Sequence, residues 1–209
     1  MLISALEKGL QKQGLVIAGV DEVGRGPLAG PVLAACVSLP VDFKLNNKLK
    51  EVDDSKKLSA KRREELYEII IRGIKDIGIG ICEPAEIDHL NIFHASLLAM
   101  KKAIGELKNT PDIVLVDGKF LIPQLDIRQQ CIVKGDSLIF SIAAASIVGK
   151  VTRDRMMKEN HKKYPLYGFD QNKGYGTRMH FEKIKQHGLT EIHRKSFTGS
   201  AGKLLVKMD

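Results

Sequence analysis

Two short apolar runs, each ending abruptly in acid, constrain this chain more than any other feature. Leu15–Val20 reads as a buried strand and is followed at once by Asp21 and Glu22. Ile113–Val116 reads as another and is followed by Asp117. Runs this short suit strands covered on both faces rather than helices. Further strands are expected at Pro31–Leu39, Ile77–Cys82 and Gln130–Val133, with Gly78 and Gly80 on one face of the third in chain order. Helical spacing fills the gaps. Ser59 caps a charged amphipathic stretch carrying Leu66, Ile69, Ile70 and Ile74, Pro84 opens a short helix, and Ile92–Leu107 forms a longer one. From Ser137 to about Lys163 the pattern is helical, and Ala143–Ser146 would let that helix pack close to a sheet. Thr177 caps a helix stopped by Gly188, and a last short helix is expected from Thr190. This order predicts an α/β domain with a mixed sheet flanked by helices, over residues 1–165. A helical C-terminal lobe over 166–209 completes the same compact unit.

Composition narrows the class. With 44% hydrophobic residues the chain can bury a real core. Its net charge of +8 is unevenly placed: residues 150–209 hold 14 basic and 6 acidic side chains, whereas 1–149 hold 19 of each. A neutral body with a basic arm suits a polyanionic partner. No apolar run approaches the ~18–20 residues of a membrane helix, and the N-terminus lacks a secretory apolar stretch. Cys36, Cys82 and Cys131 are scattered, odd in number and without a Cys-x-x-Cys pair. They are expected as reduced thiols filling a cytoplasmic core, not a disulfide framework or zinc ribbon.

Asp21, Glu22, Asp117 and Asp136 carry the chemistry that composition allows. Taken singly each has a plainer reading: the adjacent pair could cap the following loop, and Asp136 could be the N-cap of the long helix. As a set, strand-end acids of an α/β sheet can converge on one edge, where ligands bind. Converging carboxylates stay ionised together only with a cation between them, and oxygen-only ligands select Mg²⁺ or Mn²⁺ over zinc. On a basic protein that implies phosphoryl chemistry, with two ions able to activate water and stabilise the leaving oxygen. The sequence has no HExxH, GxSxG or Walker loop to support a rival hydrolase class.

Other residues are open to two readings. Gly24-Arg25-Gly26 is either a plain turn or a loop whose amides and guanidinium meet a phosphate or sugar. Asp54-Ser55-Lys56-Lys57 either adds phosphate contacts or is a solvated loop. Tyr175, between two glycines, is either an exposed stacking platform or a turn anchor. The six histidines show no metal-ligand pairing and read as surface or capping residues.

These segments together resemble the ribonuclease HII family over about residues 16–197. The match rests on GVDEVGRGPLAGPV at 19–32, DSKKLS at 54–59, LVDG at 115–118 and KGD at 134–136. SIAAASIVGKVTRDR at 141–155, KGYGT at 173–177 and HRKSF at 193–197 continue it. Arg25 and the short leader favour type HII over type HIII. The resemblance implies a ribonuclease H-like fold in which Asp21, Glu22, Asp117 and Asp136 are the metal-binding catalytic carboxylates. It implies Mn²⁺ or Mg²⁺, two ions with substrate bound. Gly24, Arg25 and Gly26 would read the ribonucleotide and its 2′-OH, and Tyr175 would stack on the deoxyribose that follows. Lys56, Ser146 and Lys150 would touch substrate, while Arg153 and Asp154 would be structural. The implied substrates are RNA–DNA hybrids and DNA duplexes with single ribonucleotides, cut on the 5′ side to leave 3′-OH and 5′-phosphate ends, as in ribonucleotide repair. A monomer with no obligate protein partner and no membrane contact is expected. A junction resolvase and a non-catalytic nucleic-acid binder are the rivals. Two departures stand out: Gly149, where alanine is common in the family, and Thr198-Gly199-Ser200, where a proline-containing turn is usual.

Overall fold

The structure, a computed structural model, describes residues 3–52, 55 and 58–198. Five strands form one sheet: β1 (Ile17–Val23), β2 (Val32–Leu39), β3 (Ile77–Cys82), β4 (Ile113–Asp117) and β5 (Arg128–Ile132), in the order β3-β2-β1-β4-β5. β1, β2 and β3 pair antiparallel, whereas β4 runs parallel to β1 and β5 parallel to β4. The mixed sheet flanked by helices is therefore as expected. The helices are α1 (Ala5–Lys12), α2 (Ala60–Gly73), α3 (Pro84–Leu90), α4 (Ile92–Gly105), α5 (Phe140–Lys163), α6 (Phe169–Asn172), α7 (Arg178–His187) and α8 (Lys195–Thr198).

Strand alternation sorts the core into two layers. Ala18, Val20, Ala34 and Cys36 face α4, whose Ala99, Met100 and Ala103 cover them. Ala35, Val37 and Leu39 face α2 and α5. The paired glycines of β3 explain how close α4 comes. A methyl group on Gly80 would lie 2.0 Å from the Ala99 carbonyl oxygen, and one on Gly78 2.0 Å from that of Ala103. On the other face a methyl on Gly19 would collide with the backbone at Ser141 and Ile142, so the start of α5 rests directly on β1.

Several boundaries differ from the sequence expectation, each for a local reason. β1 runs on to Val23 and β4 takes in Asp117, because their acids still pair in the ladder or follow it directly. β5 begins at Arg128, two residues before the expected start. α5 begins at Phe140, not Ser137, since Gly135–Ser137 form a 3-10 turn. Asp136 is thus not the helix N-cap. That role falls to Ile139 without a side-chain bond, and the carboxylate of Glu7 accepts from the Phe140 and Ser141 amides instead, at 3.2 and 2.9 Å. Glu7 is fully buried in α1, held by the Ser4 capping box. The last helix starts at Lys195, not Thr190, because the Thr190 amide and hydroxyl both donate to His193 Nδ1 and close a turn there. Cys36 and Cys82 are buried and Cys131 is half-buried on the edge strand; all three are free thiols. Among the described residues no helix is long and apolar enough to cross a membrane. Asp54, Lys56, Lys57, Gly199 and Ser200 lie outside the described residues.

Candidate active site

Two parallel strands carry the acids to one edge of the sheet. Val20 of β1 aligns with Val116 of β4, so Asp21 and Asp117 follow side by side. Asp21 pairs across the sheet with Ala35, on the α5 face, and Glu22 with Ala34, on the α4 face. The adjacent acids therefore straddle the end of the sheet. β5 lies next, and the turn after it brings Gly135 close enough for its amide to donate to Asp117 Oδ1 at 2.7 Å. Asp136 follows immediately and is buried.

The acids strain against one another. Burial pushes the Asp21 carboxyl well up, and the charges of Glu22, Asp117 and Asp136 push it further; a hydrogen bond from the Ser146 hydroxyl opposes the rise. Glu22 is also pushed up by burial, against the hydrogen bond and charge of Arg25, whose Nη1 lies 3.1 Å from Glu22 Oε1. Ser146, on α5, shares a 2.9 Å hydrogen bond with Ser55. Among the described residues, no three acid, histidine or cysteine side chains lie, as they stand, where they could jointly enclose an ion. Glu22 is held by Arg25, Asp117 by Gly135 and Asp21 by Ser146. The donor chemistry nonetheless fits a hard divalent cation: only carboxylate oxygens, whose neighbouring charges raise the proton affinity of Asp21 and Glu22, the tension a cation relieves.

One cleft of about 340 Å³ gathers most of the residues singled out from sequence. Asp21, Glu22, Gly24, Arg25, Gly26, Asp117, Ser146, Lys150 and Tyr175 line it together with Ser55 and Arg63. Asp136 lies behind it, coupled to Asp21 by charge. Lys56 falls outside the described residues. Lys150 is paired with Asp154 at 2.7 Å, one turn along α5. The Tyr175 backbone anchors a turn, accepting from the Thr177 amide at 2.8 Å, while the residue is 42% exposed at the cleft. A methyl on Gly26 would come within 3.6 Å of its ring. Gly24 has φ +91, and any side chain there would strike Arg153.

Beneath this loop lie Arg153, expected as structural, and Arg194, His180 and His193, whose part sequence reasoning missed. Arg153 is fully buried and donates to the carbonyls of Pro31, Ala29 and Lys173 at 2.9, 3.2 and 3.0 Å. Arg194, also fully buried, donates to those of Gly30, Arg25 and Gly24 at 2.9, 3.0 and 2.6 Å. His180 and His193, expected at the surface or in caps, are buried with their Nε2 atoms 3.1 Å apart. Charge and spacing alone do not distinguish a buried arginine from a phosphate-binding one. The HRKSF segment was the available signal.

Acids along the end of parallel strands in a mixed five-stranded sheet, with helices on both faces, place this protein in the ribonuclease H class. A profile of the family described as Ribonuclease HII matches residues 18–200. The chain belongs to the ribonuclease HII family, whose members are hydrolytic nucleases. It is 54% identical over 190 residues to the ribonuclease HII of Clostridioides difficile (strain 630), covering 91% of this chain and 72% of that one. With the Bacillus subtilis (strain 168) ribonuclease HII it shares 53% over 182 residues, 87% and 69% of the respective chains. The crystal structure of ribonuclease H2 from Pyrococcus horikoshii OT3 superposes with a TM-score of 0.73 at 28% identity, over 87% of this chain and 93% of that one. Bst-RNase HIII in complex with Mn²⁺ shares the fold at TM-score 0.73 and 18% identity, over 92% and 70%.

Proposed function

We propose that this ribonuclease H cuts the RNA strand of RNA–DNA hybrids, and cuts DNA duplexes on the 5′ side of single embedded ribonucleotides. Hydrolysis assisted by two divalent ions would leave 3′-OH and 5′-phosphate ends. The observation that carries the reading is the shared cleft, in which the straining carboxylates lie beside Gly24-Arg25-Gly26 and the half-exposed Tyr175. A Mn²⁺-bound relative of the same fold supports the choice of metal class.

Asp21, Glu22, Asp117 and Asp136 supply the carboxylate oxygens that would hold Mg²⁺ or Mn²⁺. When bound, such ions polarise the phosphodiester and the attacking water and offset charge on the leaving oxygen. The protein's own groups do the rest. Ser146 orients Asp21 through its hydroxyl. Arg25 exchanges Glu22 for a phosphate or sugar oxygen, which frees Glu22 as a ligand. Lys150 adds positive charge at the cleft. Gly24 and Gly26 leave room for a ribose and its 2′-OH, by which RNA is told from DNA. Tyr175 stacks on the next sugar, so an RNA–DNA junction fits both contacts at once. Residues 166–209 serve as the substrate-binding lobe of the 1–165 body, attracting the backbone without specifying sequence. The chain acts as a monomer, and its three free thiols suit the reducing cytoplasm, where it would start ribonucleotide repair.

The test is a labelled duplex with one ribonucleotide, incubated with Mg²⁺, Mn²⁺ or EDTA, with the cut mapped. One cut 5′ of the ribonucleotide with either metal, and none in EDTA, is expected. Cutting of an all-DNA four-way junction with the ribonucleotide duplex left intact would favour a resolvase.

A further inference from the structure

We propose that His193 and Arg194 are positioning residues for ribonucleotide reading: His193 acts through His180 on Tyr175, and Arg194 acts on the amides of the Gly24–Gly26 loop. The inference rests on the junction reading above and names what holds its two contacts in register.

The histidine pair has a determinate proton arrangement. The Thr190 amide can only donate, and it meets His193 Nδ1 at 2.9 Å, so that nitrogen is a bare acceptor. In a neutral ring Nε2 then carries the proton and donates to His180 Nε2 at 3.1 Å. His180 in turn carries its proton on Nδ1, which donates to the Tyr175 carbonyl at 2.9 Å, the role a carbonyl allows. One tautomer of each ring satisfies all three bonds, and they run in one direction from Thr190 to Tyr175. A second proton on His193 would set its Nδ1–H against the Thr190 amide, with only the Thr190 hydroxyl at 2.8 Å able to accept it, and one on His180 would set two N–H groups head to head. Burial lowers the proton affinity of both rings, so the neutral arrangement persists at physiological pH. Tyr167 and Phe169 pack their rings against the pair at 5.2–5.8 Å, which leaves it no room to swing.

Arg194 orders the other contact. Its guanidinium draws the Gly24 and Arg25 carbonyls to the buried side of the loop. Every peptide bond of the described chain is trans, so each amide points opposite the carbonyl of its own peptide unit. The Arg25 and Gly26 amides are thereby turned away from Arg194, on the side where these residues line the cleft. The chain around the dipeptide is stitched to the same loop: the Arg194 amide donates to Leu28 at 2.8 Å, and Ala29 bridges to His193. Adjacent residues thus set the stacking ring and the loop amides, and the spacing between those contacts is what a junction is measured against.

The test compares kcat/KM on a single-ribonucleotide duplex with that on a continuous RNA–DNA hybrid. His193→Asn keeps an acceptor near the Nδ1 position but cannot reach His180. His193→Gln keeps a donor near the Nε2 position. His193→Asn is expected to lower the ratio about tenfold, the scale of a small misplacement at a reacting site, and His193→Gln to restore most of it. Tyr175→Ala is expected to cause the same loss, with no further loss in Tyr175→Ala/His193→Asn. A folded Arg194→Lys, which keeps the charge but not the fork, is expected to relax the ratio similarly. Circular dichroism checks folding, and the His193 pair decides if Arg194→Lys does not fold. A ratio unmoved by Tyr175→Ala overturns both the junction reading and this inference. A ratio moved by Tyr175→Ala but not by folded His193→Asn overturns the inference alone, as do additive losses in the double variant.

Discussion

Two buried charge clusters of opposite sign meet the Gly24–Pro31 loop and the sheet end just before it, and they are treated in opposite ways. At the sheet edge Asp21 is buried and Glu22 half-buried beside Asp117 and Asp136, with like charges raising the proton affinity of both. Under the Gly24–Pro31 loop Arg153 and Arg194 are equally buried and have, among the described residues, no carboxylate partner at ion-pair distance, yet each donates to three carbonyls. Burial and the nearby Arg153 push Arg194 down towards about 9, while the carbonyl dipoles it meets favour the charged form. Buried charge satisfied by fixed dipoles is scaffold. Buried charge left in tension awaits a ligand of the other sign. α5 serves both, with Ser146 under Asp21 and Arg153 under the loop.

Removing charge should therefore have opposite effects at the two clusters. Asp21→Asn is expected to lower cleavage by at least about 10²–10³-fold, the scale for losing a group that stabilises transition-state charge. It should also raise the melting temperature in EDTA at neutral pH. Asp21 has a raised folded pKa, so its contribution to stability is full below about 3.9 and is lost as pH rises; asparagine does not incur that loss. A metal-free variant that melts below the parent would break the comparison. Arg153→Met should do the reverse. Three buried carbonyls lose their donor, at about 1–3 kcal/mol for each group left unsatisfied. Chemical denaturation should show a loss of several kcal/mol, with metal binding retained in whatever fraction folds.

The histidine pair sharpens the same contrast through pH. His193 is pushed down to about 4, by burial first and by His180 second. The unfolded ring takes up its proton near 6.5, so the stability tied to this depression is present above that pH and is lost as pH falls towards 4. The melting temperature should fall over that window, and less steeply in His193→Gln. Gly149 provides the smallest test, on α5 between the two clusters. A methyl there would meet Leu33, Ala35 and Val23 at 3.5–3.6 Å, ordinary contact, so packing does not require glycine. Gly149→Ala should gain about 0.5–1 kcal/mol from helix propensity, or roughly 1–4 °C in melting temperature, with cleavage unchanged.

Much of this was legible in the linear chain. Strand-end acids, the Gly-Arg-Gly loop and the glycine-flanked tyrosine were recognisable because local chemistry demands unusual residues at fixed offsets. The glycines of β3 were legible as sharing one face, but not the helix that packs against it. Less legible were contacts between residues far apart in sequence. Glu7 carried no signal in the linear chain, yet it caps α5 across more than 130 residues. Six histidines looked alike, and two are buried together.

By itself the sequence determined the order of the strands and of the longer helices after them, and the family, because apolar period and loop chemistry are local, whereas the short α1 and α6 carried no such signal. Only the tertiary structure decided which charges are scaffold and which are held in tension. Arg25 and Arg194 are both arginines in recognisable motifs, yet one is exposed at the cleft and the other fully buried under the same loop. Burial and the direction of surrounding dipoles set that difference, and both are properties of the packed chain.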